Sequence, residues 1–260
     1  MAERFSFAEL LQEIAVAANE TSTITPFSYG IDLPGKVLAP IGGMSMLARV
    51  ARRASRARLL QGLVVATTTS APDDAIVKEC VRLEIPFYRG KEDDVLDRYY
   101  QTALFYGIDV IVRITADCPL TDPEVIDSVV GEFIVKKPDY ASNVMERRYP
   151  RGLDVEVMSM KALTCAWQQA DLPYQRIHVT PFIYQNPDQF YLLSVKGEED
   201  YSAYRWTVDA PQDLAFINLV YERFNQADHM GWREVVGLMK KEPGIMRINQ
   251  DVKQKELSEG

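Results

Sequence analysis

The chain has 260 residues, 47% of them hydrophobic, and a formal net charge of -8. That is enough apolar material for one large α/β domain or one domain with a small appendage, and the acidic balance disfavours non-specific binding to a phosphate backbone. No apolar run approaches the roughly 20 residues that span a bilayer. Three scattered cysteines (Cys80, Cys118, Cys165) and only two histidines support neither a disulfide framework nor a zinc site, so a cytoplasmic protein with reduced thiols is expected.

Residues 1–20 place acidic residues among apolar ones at helical spacing and read as an extra amphipathic helix, not a signal peptide. Thr21 to Thr25 is β-branched and predicts the first strand, which Pro26 should end because it cannot donate to a ladder. After the turn Leu33-Pro34-Gly35-Lys36, a helix is predicted over 44–59, with Met46, Leu47, Val50 and Ala54 inward and Arg49, Arg52, Arg53 and Arg56 outward. Gly62 to Thr68 reads as a fully buried parallel strand. Pro72-Asp73-Asp74 opens the next helix.

The alternation repeats with a strand ending at Phe87–Gly90, a helix over 94–106, a strand over 110–114 and a helix over 123–135. It implies an α/β fold, a mostly parallel mixed sheet with helices on both faces. After Tyr140 the pattern changes. Asp154 to Met158 alternates as a half-buried strand, a helix covers 160–170, and Tyr191–Val195 and Arg205–Val208 read as further strands. Residues 145–200 are expected to form a lid rejoining the core sheet, and a helix starting at Pro211 closes the fold. The organisation is therefore one domain over 21–250, with the extra helix before it and a charged tail over 251–260.

Three segments carry chemistry. Thr115-Ala116-Asp117-Cys118-Pro119-Leu120 directly follows a buried strand, where ligands of open parallel sheets bind. An Asp there can face a hydrated Mg²⁺ carrying phosphate, or can simply cap the next helix. Arg205-Trp206-Thr207-Val208-Asp209-Ala210-Pro211-Gln212-Asp213 repeats that architecture, so Asp117 and Asp209 together could hold one divalent ion; Asp213 is placed to cap. Lys36, just past a Gly turn, is placed to neutralise phosphates as a mobile charge. No Walker-type GxxxxGK[ST], Rossmann GxGxxG or Ser-His-Asp order is present.

The pieces LPGKVLAPIGGMSML, VVATTTSAPDDAI, YRGKEDDVLDRYY, VIVRITADCPLTDP, YPRGLDVEVMS, RIHVTPFIY and RWTVDAPQDL, in this order over about residues 33 to 224, resemble the cytidylyltransferase family of CMP-sugar synthetases. The resemblance lies nearest the branch typified by the spore-coat polysaccharide biosynthesis protein F. It implies a GT-A-like nucleotide-diphospho-sugar transferase fold, a homodimer, and Mg²⁺-dependent attack of a sugar hydroxyl on the α-phosphate of CTP with release of pyrophosphate. On this resemblance Asp117 and Asp209 are metal ligands. Gly35, Lys36, Thr67, Arg113 and Thr115 lie on the nucleotide side, and Asn143, Arg151, Asp154, Arg176 and His178 on the sugar side. A dimer contact through about 145–200 is also suggested by the aromatic residues Tyr174, Phe182, Tyr184, Phe190 and Tyr191.

One stretch departs from the family. Where its members carry Ala-Arg-Met-Gly-Ser-Thr-Arg before LPGK, this chain reads Pro26-Phe27-Ser28-Tyr29-Gly30-Ile31-Asp32, without either arginine and with an added carboxylate. Codons for Ser28 to Asp32 read one base later can spell Arg-Met-Gly-Ser-Thr. The departure predicts weak nucleotide affinity, since a lost bidentate arginine is costly. It leaves two other readings: a non-catalytic relative or partner subunit, and a glycosyltransferase using a ready-made nucleotide sugar on the same fold.

Overall fold

Continuous β-branched runs place the centre of the fold. The computed structural model describes residues 21–26 and 35–254, and within it Gly62–Thr68 forms β4, whose last five residues are all buried. Thr21–Pro26 forms β1, paired in parallel with β4 on one side and with β6 (Val110–Arg113) on the other. Pro26 is its last residue, opposite Ala66. The helix expected over 1–20, the altered loop over 27–32 and the end of the tail lie outside the described residues.

The sheet has seven strands in the order β5-β4-β1-β6-β8-β7-β9, with β5 at Phe87–Gly90, β7 at Tyr140–Ser142, β8 at Glu156–Ser159 and β9 at Leu192–Ser194. β8 alone runs antiparallel to its neighbours, so the sheet is mixed but mostly parallel, as the sequence predicts. Strand order runs outward from β1 through β4 to β5, then restarts on the opposite side with β6. The crevice between the carboxyl ends of β1 and β6 is thus the switch point where such sheets bind ligands.

Alternate side chains of one strand feed two cores. Val112, Ala141 and Val157 join Val129, Phe133, Phe216 and Val235, contributed by α4 (Pro123–Lys136), α8 (Pro211–Arg223) and α9 (Trp232–Lys241). Ile111, Tyr140 and Met158 join Leu96, Tyr99, Leu163 and Ala166 from α3 (Val95–Tyr106) and α5 (Met160–Gln169). Helices therefore cover both faces. Two short helices, α6 (Pro173–His178) and α7 (Pro181–Tyr184), pack beside α3 and α5, and α2 (Asp74–Arg82) packs against β4. Among the described residues no helix is long and apolar enough to cross a membrane.

Several expectations are corrected. The helix predicted from Met44 starts at Met46 and ends at Ala54 (α1), because Pro40–Ile41 (β2) and Met44–Ser45 (β3) pair as a small hairpin and Ser45 caps Ala48 N at 3.1 Å. Arg49 and Arg53, predicted to face water, are 1% and 0% exposed. Arg49 donates to Ile41 O and Gln226 O and pairs with Asp228, and Arg53 donates to Thr121 O, Asp228 O and Met230 O. These carbonyls lie on β2 and in the loops around 121 and 226–230, and the buried guanidiniums satisfy them. The expected Arg205–Val208 strand reduces to one bridge, Arg151 to Arg205. The strand predicted as half-buried over 154–158 is buried even at Glu156, whose carboxylate pairs with Arg113 and accepts from Tyr140 Oη and Thr180 Oγ1 (2.7 Å). A charge in an alternating pattern reads as solvent-facing until its partners, far along the chain, are known.

Candidate active site

Gly35 sits at φ 69°, the left-handed region open to glycine at little cost. It turns the chain into a short 3₁₀ segment, Lys36–Leu38, that buries Val37 and projects Lys36 into the crevice. From the other side of the switch point, β6 ends and the turn over 115–120 presents Asp117. The segment carrying Asp209 is fastened alongside by main-chain bonds: Val208 N donates to Asp117 O at 2.8 Å, and Trp206 N to Arg151 O at 2.7 Å. Gly152 is needed for that contact. Its φ is 103°, and a Cβ there would lie 2.6 Å from the Trp206 carbonyl carbon.

The result joins Lys36 to carboxylates 81 and 173 positions further along the chain. Lys36 Nζ donates to Asp117 Oδ2 at 3.0 Å and to Asp209 Oδ1 at 2.8 Å. The two carboxylate oxygens thus converge on a single ammonium. Burial disfavours the lysine charge, but Asp117 and Asp209 outweigh it and hold the ammonium above the usual lysine range. Burial likewise opposes the Asp117 charge, and Lys36 and Thr115 overcome it, keeping this carboxyl below its ordinary value.

Behind the pair, Arg205 fixes Asp209. Its Nη2 lies 2.7 Å from Asp209 Oδ2, and its Nε and Nη2 each lie 3.0 Å from Asp213. Asp213 also accepts from the main-chain N–H groups of Asp209 and Ala210, so it caps α8, as expected, while orienting the site. Sequence reasoning missed Arg205: the segment from it to Asp209 is not helical, so their four-residue spacing carries no pairing signal.

The remaining expected residues fall into two groups. Near the carboxylates, Asp154 is held by Arg147 through two bonds of 2.5 and 2.8 Å, and Arg151 stands beside them. The Arg151 side chain is half-buried with no hydrogen bond or ion pair among the described residues; burial and then the neighbouring Arg147 charge lower its pKa. Arg147 was also missed; nothing in its local sequence separates it from Arg148. Thr115 Oγ1 lies 3.1 Å from Cys118 Sγ.

The second group is engaged elsewhere. Thr67 donates to Asp73 at 2.7 Å, with Thr68 on the same oxygen at 2.6 Å. Asn143 spends its amide on Leu153 O and Val155 N. Arg113 is paired with Glu156. Arg176 is tied to Asp94 at 2.6 and 3.0 Å and to Trp167 O at 2.7 Å, which anchors α6 to α3. His178 is the last residue of α6.

Among the described residues no group of three or more His, Cys, Asp and Glu side chains could hold a metal ion. A pair of carboxylates on one cation nevertheless suits an ion that completes its shell with phosphate and water, as Mg²⁺ does.

A family model for cytidylyltransferases matches residues 32–230. An uncharacterized protein of Methanocaldococcus jannaschii is 37% identical over 229 residues, covering 87% of this chain and 93% of that one. The spore coat polysaccharide biosynthesis protein of Bacillus subtilis is 28% identical over 219 residues, covering 81% and 90%. A solved cytidylyltransferase from Leptospira borgpetersenii superposes with a TM-score of 0.85 at 27% identity, covering 91% of this chain and 99% of that one. The strand order, the carboxylate pair at the switch point and a family match across most of the described fold lead to one assignment: the chain belongs to the cytidylyltransferase family.

Proposed function

We propose that the protein transfers CMP from CTP to a hydroxyl of an acidic, surface-polysaccharide type of sugar, releasing pyrophosphate, with Asp117 and Asp209 as Mg²⁺ ligands. The observation that carries this reading is the convergence of both carboxylates on one cation at the carboxyl ends of β1 and β6. When bound, Mg²⁺ would supply positive charge where the α-phosphate is attacked and pyrophosphate leaves. The chain's own residues do the rest. Arg205 leaves Asp209 Oδ1 as the oxygen facing the ion, because Oδ2 is already spent on the guanidinium. Lys36 brings a mobile charge to the phosphates. Arg151, half-buried and unspent among the described residues, offers a planar two-pronged donor to an acceptor carboxylate.

The test is pyrophosphate release from CTP and Mg²⁺ across a panel of sugar acids and their neutral analogues. Release with an acid and with no neutral analogue is expected, and lost when Asp117→Asn is introduced. Silence across the panel refutes the reading. The segment Pro26 to Asp32 favours one alternative, a non-catalytic relative. A bound nucleotide raises the melting temperature by mass action, so no shift at millimolar CTP with Mg²⁺ would support that alternative.

A further inference from the structure

Among the described residues Lys36 is the one basic side chain hydrogen-bonded to both site carboxylates, and it faces the two oxygens that a metal would take. Its side chain is 11% exposed. Two of its three N–H groups are engaged by Asp117 and Asp209, and the third has no acceptor among the described residues. Asp209 Oδ2 is occupied by Arg205 and Asp117 Oδ1 by the Cys118 thiol at 3.5 Å, so any other oxygen arrangement offered to an entering ion would disturb a second contact.

We propose that Lys36 is the resident counter-ion of this carboxylate pair: its ammonium holds the cation position between Asp117 and Asp209, and nucleotide phosphate draws it away as the divalent ion enters. This rests on the reading given under Proposed function and adds to it an order of events. A divalent ion arriving alone would have to expel a buried ammonium with nowhere to place its charge. An ion arriving with a triphosphate meets a different situation, because phosphate oxygens accept the ammonium as it leaves the carboxylates. Both cations then keep anionic partners throughout, and no charge is left desolvated and unpaired. Metal and nucleotide binding are thereby coupled, and the coupling is reciprocal: each raises the affinity of the other by the same factor. The device also keeps two carboxylates from repelling one another before substrate arrives.

Mn²⁺ binding followed by electron paramagnetic resonance tests this without catalysis. In the wild type, Mn²⁺ alone should bind weakly and CTP should tighten it. Lys36→Met removes a unit charge a few ångströms from the entering ion, so nucleotide-free Mn²⁺ affinity should rise roughly tenfold or more. The CTP-induced gain should shrink in the same variant. Lys36→Ala gives a second route: Mn²⁺ affinity should again rise, and added ethylammonium, which can refill the cation position, should depress it. Equal nucleotide-free Mn²⁺ affinity in wild type and both variants overturns the inference, as does indifference to ethylammonium. Asp117→Asn separates this from the parent reading. If it abolishes Mn²⁺ binding while the Lys36 variants gain nothing, only the counter-ion role fails. If Mn²⁺ with CTP binds undiminished to Asp117→Asn, the metal-site reading fails as well.

Discussion

Asp213 offers the sharpest test of how the site is held, through the substitution Asp213→Asn. The carboxylate is 0% exposed and accepts from Arg205 Nε and Nη2, Asp209 N, Ala210 N and Asn249 Nδ2, all between 2.8 and 3.0 Å. Asparagine keeps the shape but removes the charge and turns one oxygen into a donor. In either orientation that amide faces N–H groups, and Arg205 is left with Asp209 alone. Removing one partner of a buried ion pair costs up to about 3–5 kcal/mol; Asp209 still compensates part of the Arg205 charge, so the lower end of that range is expected. At about 2–4 °C per kcal/mol for a chain of this size, the melting temperature should fall by about 10 °C.

The loss should also depend on pH. Burial alone would raise the Asp213 pKa, but Arg205 and Asn249 outweigh it, so the folded value lies below 3.8. A carboxyl depressed on folding contributes its stability above the unfolded pKa and loses it as pH falls through the folded one. The gap between wild type and Asp213→Asn in urea denaturation should thus be full at neutral pH and narrow below about pH 4. A gap under about 1 kcal/mol at neutral pH, or one that stays constant into acid, would refute the argument.

Other outcomes follow from the same geometry. Replacing Pro26 to Asp32 with Ala-Arg-Met-Gly-Ser-Thr-Arg should tighten CTP binding by ~10-fold or more in calorimetry, since a charge-assisted contact contributes ~1.5–3 kcal/mol; unchanged affinity would mean that this crevice is not the nucleotide site. Arg151→Met should raise the KM for an acidic acceptor by about tenfold or more with little change in the KM for CTP, as expected for loss of a charge-assisted bond to one substrate alone. We expect light scattering to give a homodimer, with Leu172→Glu and Tyr191→Glu weakening it. Both side chains lie in the segment 145–200 and are 45% and 53% exposed; a concentration-independent monomer would remove that expectation.

The sequence by itself determined the alternating α/β class and the central parallel strands, because continuous β-branched runs supply the buried stretches Val64 to Thr68 and Ile111 to Val112. It also marked Lys36, Asp117 and Asp209, since a turn after a strand delivers its side chains to one edge of a parallel sheet. Local pattern could not reveal where distant charges meet. Arg49 and Arg53 fall on what reads as the wet face of α1 and are buried because loops 226–230 and 120–121 bring carbonyls to them. Glu156 reads as the exposed position of an alternating strand and is buried because Arg113, Tyr140 and Thr180 surround it. Arg147 and Arg205 acquire meaning only beside Asp154 and Asp209. Burial of a charge depends on partners supplied by the whole chain, and only the tertiary structure assembles them.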